Sequence, residues 1–208
     1  MGDKLFHKKK ALASRREKTR KLRRILIVCE GEKTEPNYFK AFPENPEVYD
    51  EIDVQGTGYN TVSLVKKAIQ IKSEAERKKE PYIETWCVFD KDSFSVEAFE
   101  KALALAAKKE NQIKCAYSIE AFEIWYMLHF EFYNTGLSRD QYKEKLSALL
   151  KKPYQKNSAE MYSVLKNKQA NALKNAEKLY GIQSQKPIKE QNPVTTVFKL
   201  VARLNETQ

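Results

Sequence analysis

The sequence predicts an α/β fold: a mostly parallel four-stranded sheet flanked by helices, followed by a C-terminal helical lobe. Three observations predict it. Short β-branched runs near 24–29, 49–54, 84–89 and 112–118 alternate with helix-length segments, the pattern of a parallel sheet covered by helices. A chain of 208 residues that is 41% hydrophobic can bury a core of ordinary size, which excludes wholesale disorder. Beyond Gly136 the β-branched runs cease and helical patterns follow.

Residues 1–24 show no apolar period and read as a basic N-terminal arm. Residues 24–29, Arg-Ile-Leu-Ile-Val-Cys, form a continuous apolar run expected of a buried strand. Gly31 follows at once; Thr34 is placed to cap a helix that tolerates Pro36 in its first turn and ends before Pro43. A second strand over 49–54 leads to Gly56-Thr57-Gly58, and apolar positions 62, 64, 65, 68, 69 and 71 predict a helix over 60–79 that Pro81 stops. Strand 84–89 ends in Asp90-Lys91-Asp92. An Ala/Leu-rich helix over 95–109, a strand over 112–118 and a strongly apolar helix over 120–130 complete a core spanning 25–136. In the lobe, 137–208, helices are expected over 138–150, 158–179 and 193–204, with a polar loop over 181–192.

The net charge of +10 is unevenly placed. Residues 1–24 carry 11 basic and 2 acidic side chains, 25–137 carry 13 and 20, and 138–208 carry 14 and 6. Two basic ends therefore flank an acidic middle. Basic ends attract a polyanion, with nucleic acid, DNA or RNA, the expected partner. An acidic centre repels phosphate unless a cation binds there. No apolar run reaches the roughly 18 residues a membrane helix needs, and no apolar segment follows the basic start as a secretory signal requires. Cysteines at 29, 87 and 115 form no close pair, which argues against a disulfide framework or thiolate zinc site and for a reducing cytoplasm. Two histidines exclude a His-rich metal site.

Functional residues of parallel sheets gather at the C-terminal ends of strands. Here Glu30-Gly31 ends the first strand, and Asp90 and Asp92 end the third. Three carboxylates at one sheet edge match the oxygen-ligand chemistry of Mg²⁺ or Mn²⁺. Gly31 lets the backbone turn sharply beside a ligand. Similarity of the Glu30-Gly31 turn to OLD-type nucleases implies a second acidic ligand a few positions on, Glu35 or its rival Glu32; Glu35 alternatively favours its helix N-terminus through the dipole. Glu123 lies in an otherwise apolar segment and needs a partner or a metal, whereas Glu120 faces differently. Lys33 and Lys91, beside the carboxylates, are candidates to hold a scissile phosphate. His129 reads as a core or helix-end histidine. Gly-Glu-Lys-Thr at 31–34 lacks the earlier glycine and the adjacent Gly-Lys of a phosphate-binding loop, so an ATPase is rejected. Trp86, Phe89, Phe122, Trp125 and Phe130 read as core; Tyr142, Tyr154 and Tyr162 are better placed to stack on bases. The three cysteines read as buried small hydrophobes.

The Glu-Gly and Asp-x-Asp pattern over 25–130 resembles the Toprim domain of topoisomerases, primases and OLD-type nucleases; Glu30, Asp90 and Asp92 match its acidic residues. A longer resemblance is to the RloB family. It is carried by Ile25 to Phe39 (Ile-Leu-Ile-Val-Cys-Glu-Gly-Glu-Lys-Thr-Glu-Pro-Asn-Tyr-Phe), Gly56-Thr57-Gly58, Val88 to Asp92, Ser118 to Phe130, and Asn192-Pro193 with Thr195. That resemblance implies a phage-defence effector of the abortive-infection type, similar to the second component of AbiL systems, with an AAA-type ATPase encoded nearby. The expectation is a cytoplasmic Mg²⁺- or Mn²⁺-dependent nuclease. Glu30, Asp90, Asp92 and Glu35 would hold metal; Lys33, Lys91 and Glu123 would join Glu30, Asp90 and Asp92 in catalysis. The target would be DNA or a structured RNA such as transfer RNA. A non-catalytic nucleic-acid- or ATPase-binding subunit is the alternative, and a primase-like transferase a remoter one. The sequence leaves oligomeric state open.

Overall fold

A computed structural model describes residues 22–91 and 95–206. Most of the basic arm, and Asp92, lie outside the described residues. The elements run β1 (Arg24–Cys29), α1 (Thr34–Lys40), β2 (Glu51–Gly56), α2 (Thr61–Arg77), β3 (Tyr82–Asp90), α3 (Val96–Ala107), β4 (Lys114–Ile119) and α4 (Glu123–Met127). They continue with α5 (Arg139–Leu150), α6 (Met161–Leu165), α7 (Gln169–Gln183), β5 (Val194–Thr195) and α8 (Val197–Leu204). The sheet has the order β2-β1-β3-β4-β5, parallel except for β5, which runs antiparallel to β4. The α/β class and the mostly parallel, helix-flanked sheet agree with the sequence expectation.

β1 is apolar throughout because it is buried on both faces. Leu26 and Val28 join Cys87 and Phe89 of β3 beneath α2 and α3, where Leu64, Val65, Phe99 and Ala102 pack. Ile25, Ile27 and Cys29 join Trp86, Val88 and Ala116 on the opposite face. There they meet Tyr38 and Phe39 of α1, Trp125 of α4, and apolar residues of α5, α7 and α8. Each such side chain, fully withdrawn from water, contributes about 1.5–3 kcal/mol of transfer free energy. The segment beyond Gly136 therefore shares a core with the sheet.

Several elements differ from expectation. The fifth strand is two residues long, too short to show an alternating period. It closes the β4 edge: Thr196 N–H donates to the Tyr117 carbonyl at 2.8 Å, and Tyr117 N–H donates to Thr196 Oγ1 at 2.9 Å. The apolar segment predicted as a helix over 120–130 is helical only over Glu123–Met127. Ala121 to His129 are all buried, so no solvent-facing stripe sets a period. The segment predicted as one helix over 158–179 is divided into α6 and α7 by a 3₁₀ turn at Lys166–Lys168, and α7 continues past Gly181, expected in a loop. Thr34 does not cap α1; Lys33 takes the cap position, and Thr34 Oγ1 donates to Asn157 Oδ1 at 2.8 Å. Arg23 and Arg24 are fixed to the sheet: Arg23 N–H donates to Asp50 Oδ2 at 2.7 Å, and Arg24 pairs with Glu51 at 3.1 Å. Among the described residues, no helix is long and apolar enough to cross a membrane.

Candidate functional site

The β1–β3 register assembles the site. Cys29 pairs with Val88, so Glu30 comes level with the end of β3. Glu30 N–H donates to the Val88 carbonyl at 2.9 Å, and Asp90 N–H donates to Glu30 Oε2 at 3.2 Å. The chain then turns through Gly31 to Lys33 into α1. A Cβ on Gly31 would overlap the Glu35 carboxylate, which lies against this turn from one helical step later. Residues 56–58 brace the turn from the side: Thr57 N–H and Oγ1 donate to the Cys29 carbonyl, and Gly58 N–H donates to the Glu30 carbonyl at 2.9 Å. A Cβ on Gly56 would come within 2.8 Å of the Gly31 and Glu32 carbonyl oxygens, so this brace needs glycine there.

A cleft of about 560 Å³ opens above these strand ends. Glu30 to Glu35, Asp90, Glu123, Arg139, Lys156 and Asn157 line it. Of the residues singled out in the sequence, Glu30, Glu32, Lys33, Glu35, Asp90 and Glu123 are thus brought together. Lys91 is not among the lining residues; its backbone N–H donates to the Ser118 carbonyl at 2.8 Å. Asp92 lies outside the described residues. Glu120 is half-buried and His129 fully buried, and neither lines the cleft. The His129 ring bonds the Trp125 carbonyl at 2.9 Å through Nδ1, and burial lowers its pKa to about 4, as for a neutral core histidine.

The carboxylates crowd one another in a partly dry site. Burial and the negative charges of Glu35, Glu123 and Glu30 push Asp90 well above the usual aspartate range, against a lesser pull from the Phe122 backbone amide. Burial raises Glu35 as well; Glu123 adds to this, while Lys156 and Arg139 act against it. Glu35 Oε2 and Asp90 Oδ1 are buried without a hydrogen-bond partner. Glu123, 9% exposed, accepts from the Tyr154 hydroxyl at 3.1 Å. The Tyr126 and Tyr142 hydroxyls are buried and unpartnered among the same carboxylates.

This donor set fits a hard divalent cation in kind. It is all oxygen, it is anionic, and two of its buried oxygens lack the partner that buried polar atoms almost always have. Among the described residues no three acidic, imidazole or thiol groups stand in ready-made metal-holding positions.

The sequence reading missed Arg139, Lys156 and Asn157. All three come from the segment beyond Gly136, and in the sequence they resemble solvated helix-start and loop residues. Arg139 follows Ser138, whose capping box with Gln141 begins α5; that box is the one local signal near them. The proposed base-stacking tyrosines are not surface groups: Tyr142 and Tyr154 are buried, and Tyr162 packs its ring 4.6 Å from Phe42. Trp86, Phe89, Phe122 and Trp125 are core, as read, and Phe130 is half-buried. Cys29 and Cys87 are buried free thiols, and Cys115 is half-buried.

A family model described as RloB-like protein matches residues 25–204, and the chain belongs to that family. No curated protein and no solved structure matches it.

Proposed function

We propose, from membership of the RloB-like family and from this cleft, that the chain is a Toprim-type, divalent-metal-dependent nuclease acting in phage defence. The observation that carries the reading is the convergence of Glu30, Asp90, Glu35 and Glu123 on one cleft, with buried carboxylate oxygens of Asp90 and Glu35 left unpartnered. Glu30 and Asp90, with Glu35 and Glu123 and with Asp92 by its position after β3, would hold Mg²⁺ or Mn²⁺. Such an ion supplies Lewis-acid polarisation of a phosphate and a lowered pKa for water. Glu30 is positioned by the β1–β3 pairing, Glu123 by the Tyr154 hydroxyl, and Glu35 by the Gly31 turn. Lys33, on the same wall, offsets the negative charge of an entering phosphodiester. The basic ends of the sequence supply sequence-independent contacts to DNA or a structured RNA such as transfer RNA. The cysteine pattern points to the cytoplasm, and the family resemblance to abortive infection of the AbiL type and to an AAA-type ATPase partner.

The test is cleavage of plasmid DNA and of total transfer RNA by the purified chain, alone and with an AAA-type ATPase of the kind the family resemblance implies. Cleavage is expected to require Mg²⁺ or Mn²⁺, to stop on chelation, and to fall about 10³-fold in Asp90→Asn, the scale of several kcal/mol of transition-state stabilisation. Undiminished cleavage by Asp90→Asn overturns the reading. Mn²⁺ binding without cleavage of either nucleic acid, even with the ATPase present, would make the chain a non-catalytic subunit.

A further inference from the structure

The segment 151–160 carries features that the nuclease reading does not use. It leaves α5 and is pinned at two points. Asn157 adopts φ 72°, accepts from Thr34 Oγ1 through Oδ1 at 2.8 Å, and accepts from Asn37 Nδ2 through its carbonyl at 2.9 Å. Tyr154 is 4% exposed; its N–H donates to Ser147 Oγ at 2.9 Å, and its hydroxyl donates to Glu123 at 3.1 Å. Lys156 lies between these anchors and lines the carboxylate cleft. Lys152, earlier in the same segment, pairs with Glu160 at 3.9 Å instead and does not line the cleft.

We propose that this loop is the phosphate-holding wall of the cleft, with the Lys156 ammonium as its contact to a non-bridging phosphate oxygen. The proposal deepens the nuclease reading and rests on it. A phosphate approaching four carboxylates is repelled unless a cation meets it at a fixed position. A surface lysine on a mobile loop loses much of its attraction to the cost of ordering its side chain. Here the backbone on both sides of Lys156 is already ordered, by Asn157 on α1 and by Tyr154 on Glu123. The same loop therefore sets one carboxylate of the site and one cation facing it, so substrate phosphate and acidic floor are held in register by a single element. Of the two cations expected from the sequence, Lys33 lines the cleft and Lys91 does not, and Lys156 takes the second place beside Lys33.

The experiment uses the full chain and two titrations by calorimetry: Mn²⁺ alone, then deoxyadenosine 5′-monophosphate added to the Mn²⁺-loaded protein. That nucleotide carries a phosphate but no scissile diester. Lys156→Met is expected to weaken nucleotide binding at least about tenfold, the scale of a lost hydrogen bond to a charged group. Mn²⁺ binding should stay equal or tighten, because a positive charge beside Glu35 has been removed. Lys156→Arg should restore most of the nucleotide affinity, and Lys101→Met, on α3 across the sheet, should leave both titrations unchanged. Intact Mn²⁺ binding with undiminished nucleotide binding in Lys156→Met, or with none in the wild type, overturns the phosphate wall and leaves the metal site standing. Failure of the wild type to bind Mn²⁺ overturns both.

Discussion

The two ends of the sheet use the same residue types to opposite effect. At the N-terminal end of the strands, Glu84 accepts from Arg203 Nε at 2.6 Å, Lys114 Nζ at 3.0 Å and Trp86 Nε1 at 3.1 Å. Arg24 pairs with Glu51 at 3.1 Å and lies 3.9 Å from Asp53. Burial alone would raise the Glu84 pKa, but the bonds from Arg203 and Lys114 outweigh it and hold the carboxyl below its ordinary 4.5. At the C-terminal end, Asp90 and Glu35 are pushed up, and buried oxygens of both go unpartnered. One end is a closed ion-pair network that locks α8 to the sheet. The other leaves buried carboxylate oxygens of Asp90 and Glu35 without a hydrogen-bond partner, which costs stability and is the arrangement the proposed cation site calls for. The largest expected effect breaks the closed end. Glu84→Ala removes the carboxylate that Arg203 and Lys114 share and should cost about 2 kcal/mol in urea unfolding. Metal binding should be unchanged, since Glu84 lies at the far end of β3. A loss of metal affinity equal to the loss of stability would mean that the two ends are not independent.

Asp90→Asn probes the open end and should act in the other direction. It removes the most strongly crowded charge of the cleft, so the metal-free protein should gain about 1.5 kcal/mol, or about 4 °C in Tm at this chain length. The sign follows from linkage. A carboxyl whose folded pKa is raised contributes stability below its unfolded value, near the ordinary 3.8, and loses it as pH rises through the folded value. The variant lacks that titration. The gain in Tm should therefore be near zero at pH 4 and grow towards neutral pH, measured in chelator by thermal denaturation. Added Mn²⁺ should reverse the order by stabilising only the wild type. A constant difference across pH would mean that Asp90 is not crowded in the way its neighbours imply.

The same contrast shows what the sequence could convey. β1 and β3 were legible because both faces are buried, and with them Glu30 and Asp90, which simply follow the last apolar residues. Glu123 was legible because a carboxylate among Phe122, Ile124 and Trp125 has few harmless explanations. The opposing cations were not legible. Arg139 and Lys156 stand more than a hundred residues from Glu30 and Glu35, in polar stretches where lysine and arginine are the ordinary choice for solvent. Only the packing of the segment beyond Gly136 onto the sheet brings them to the cleft. β5 was hidden for a related reason: two residues, Val194 and Thr195, have no period, and what makes them a strand is the unpaired edge of β4.

The smallest expected effect sharpens how the open end is held. Gly58 has φ +66°, and a Cβ there would meet Glu32 Oε1 at 3.1 Å. Glu32 is exposed and its side chain can swing away, so the backbone conformation, not the contact, sets the cost. Gly58→Ala should lose about 1 kcal/mol, the penalty for placing an ordinary residue in the left-handed region. Gly58→Asn should recover part of that loss, because asparagine tolerates this conformation. The Gly58 N–H that donates to the Glu30 carbonyl remains in both variants, so the turn bearing Glu30 should keep its place and Mn²⁺ affinity should follow the wild type. If Mn²⁺ affinity instead falls in step with stability, the brace at 56–58 fixes the carboxylates through strain in the turn as well as through hydrogen bonds.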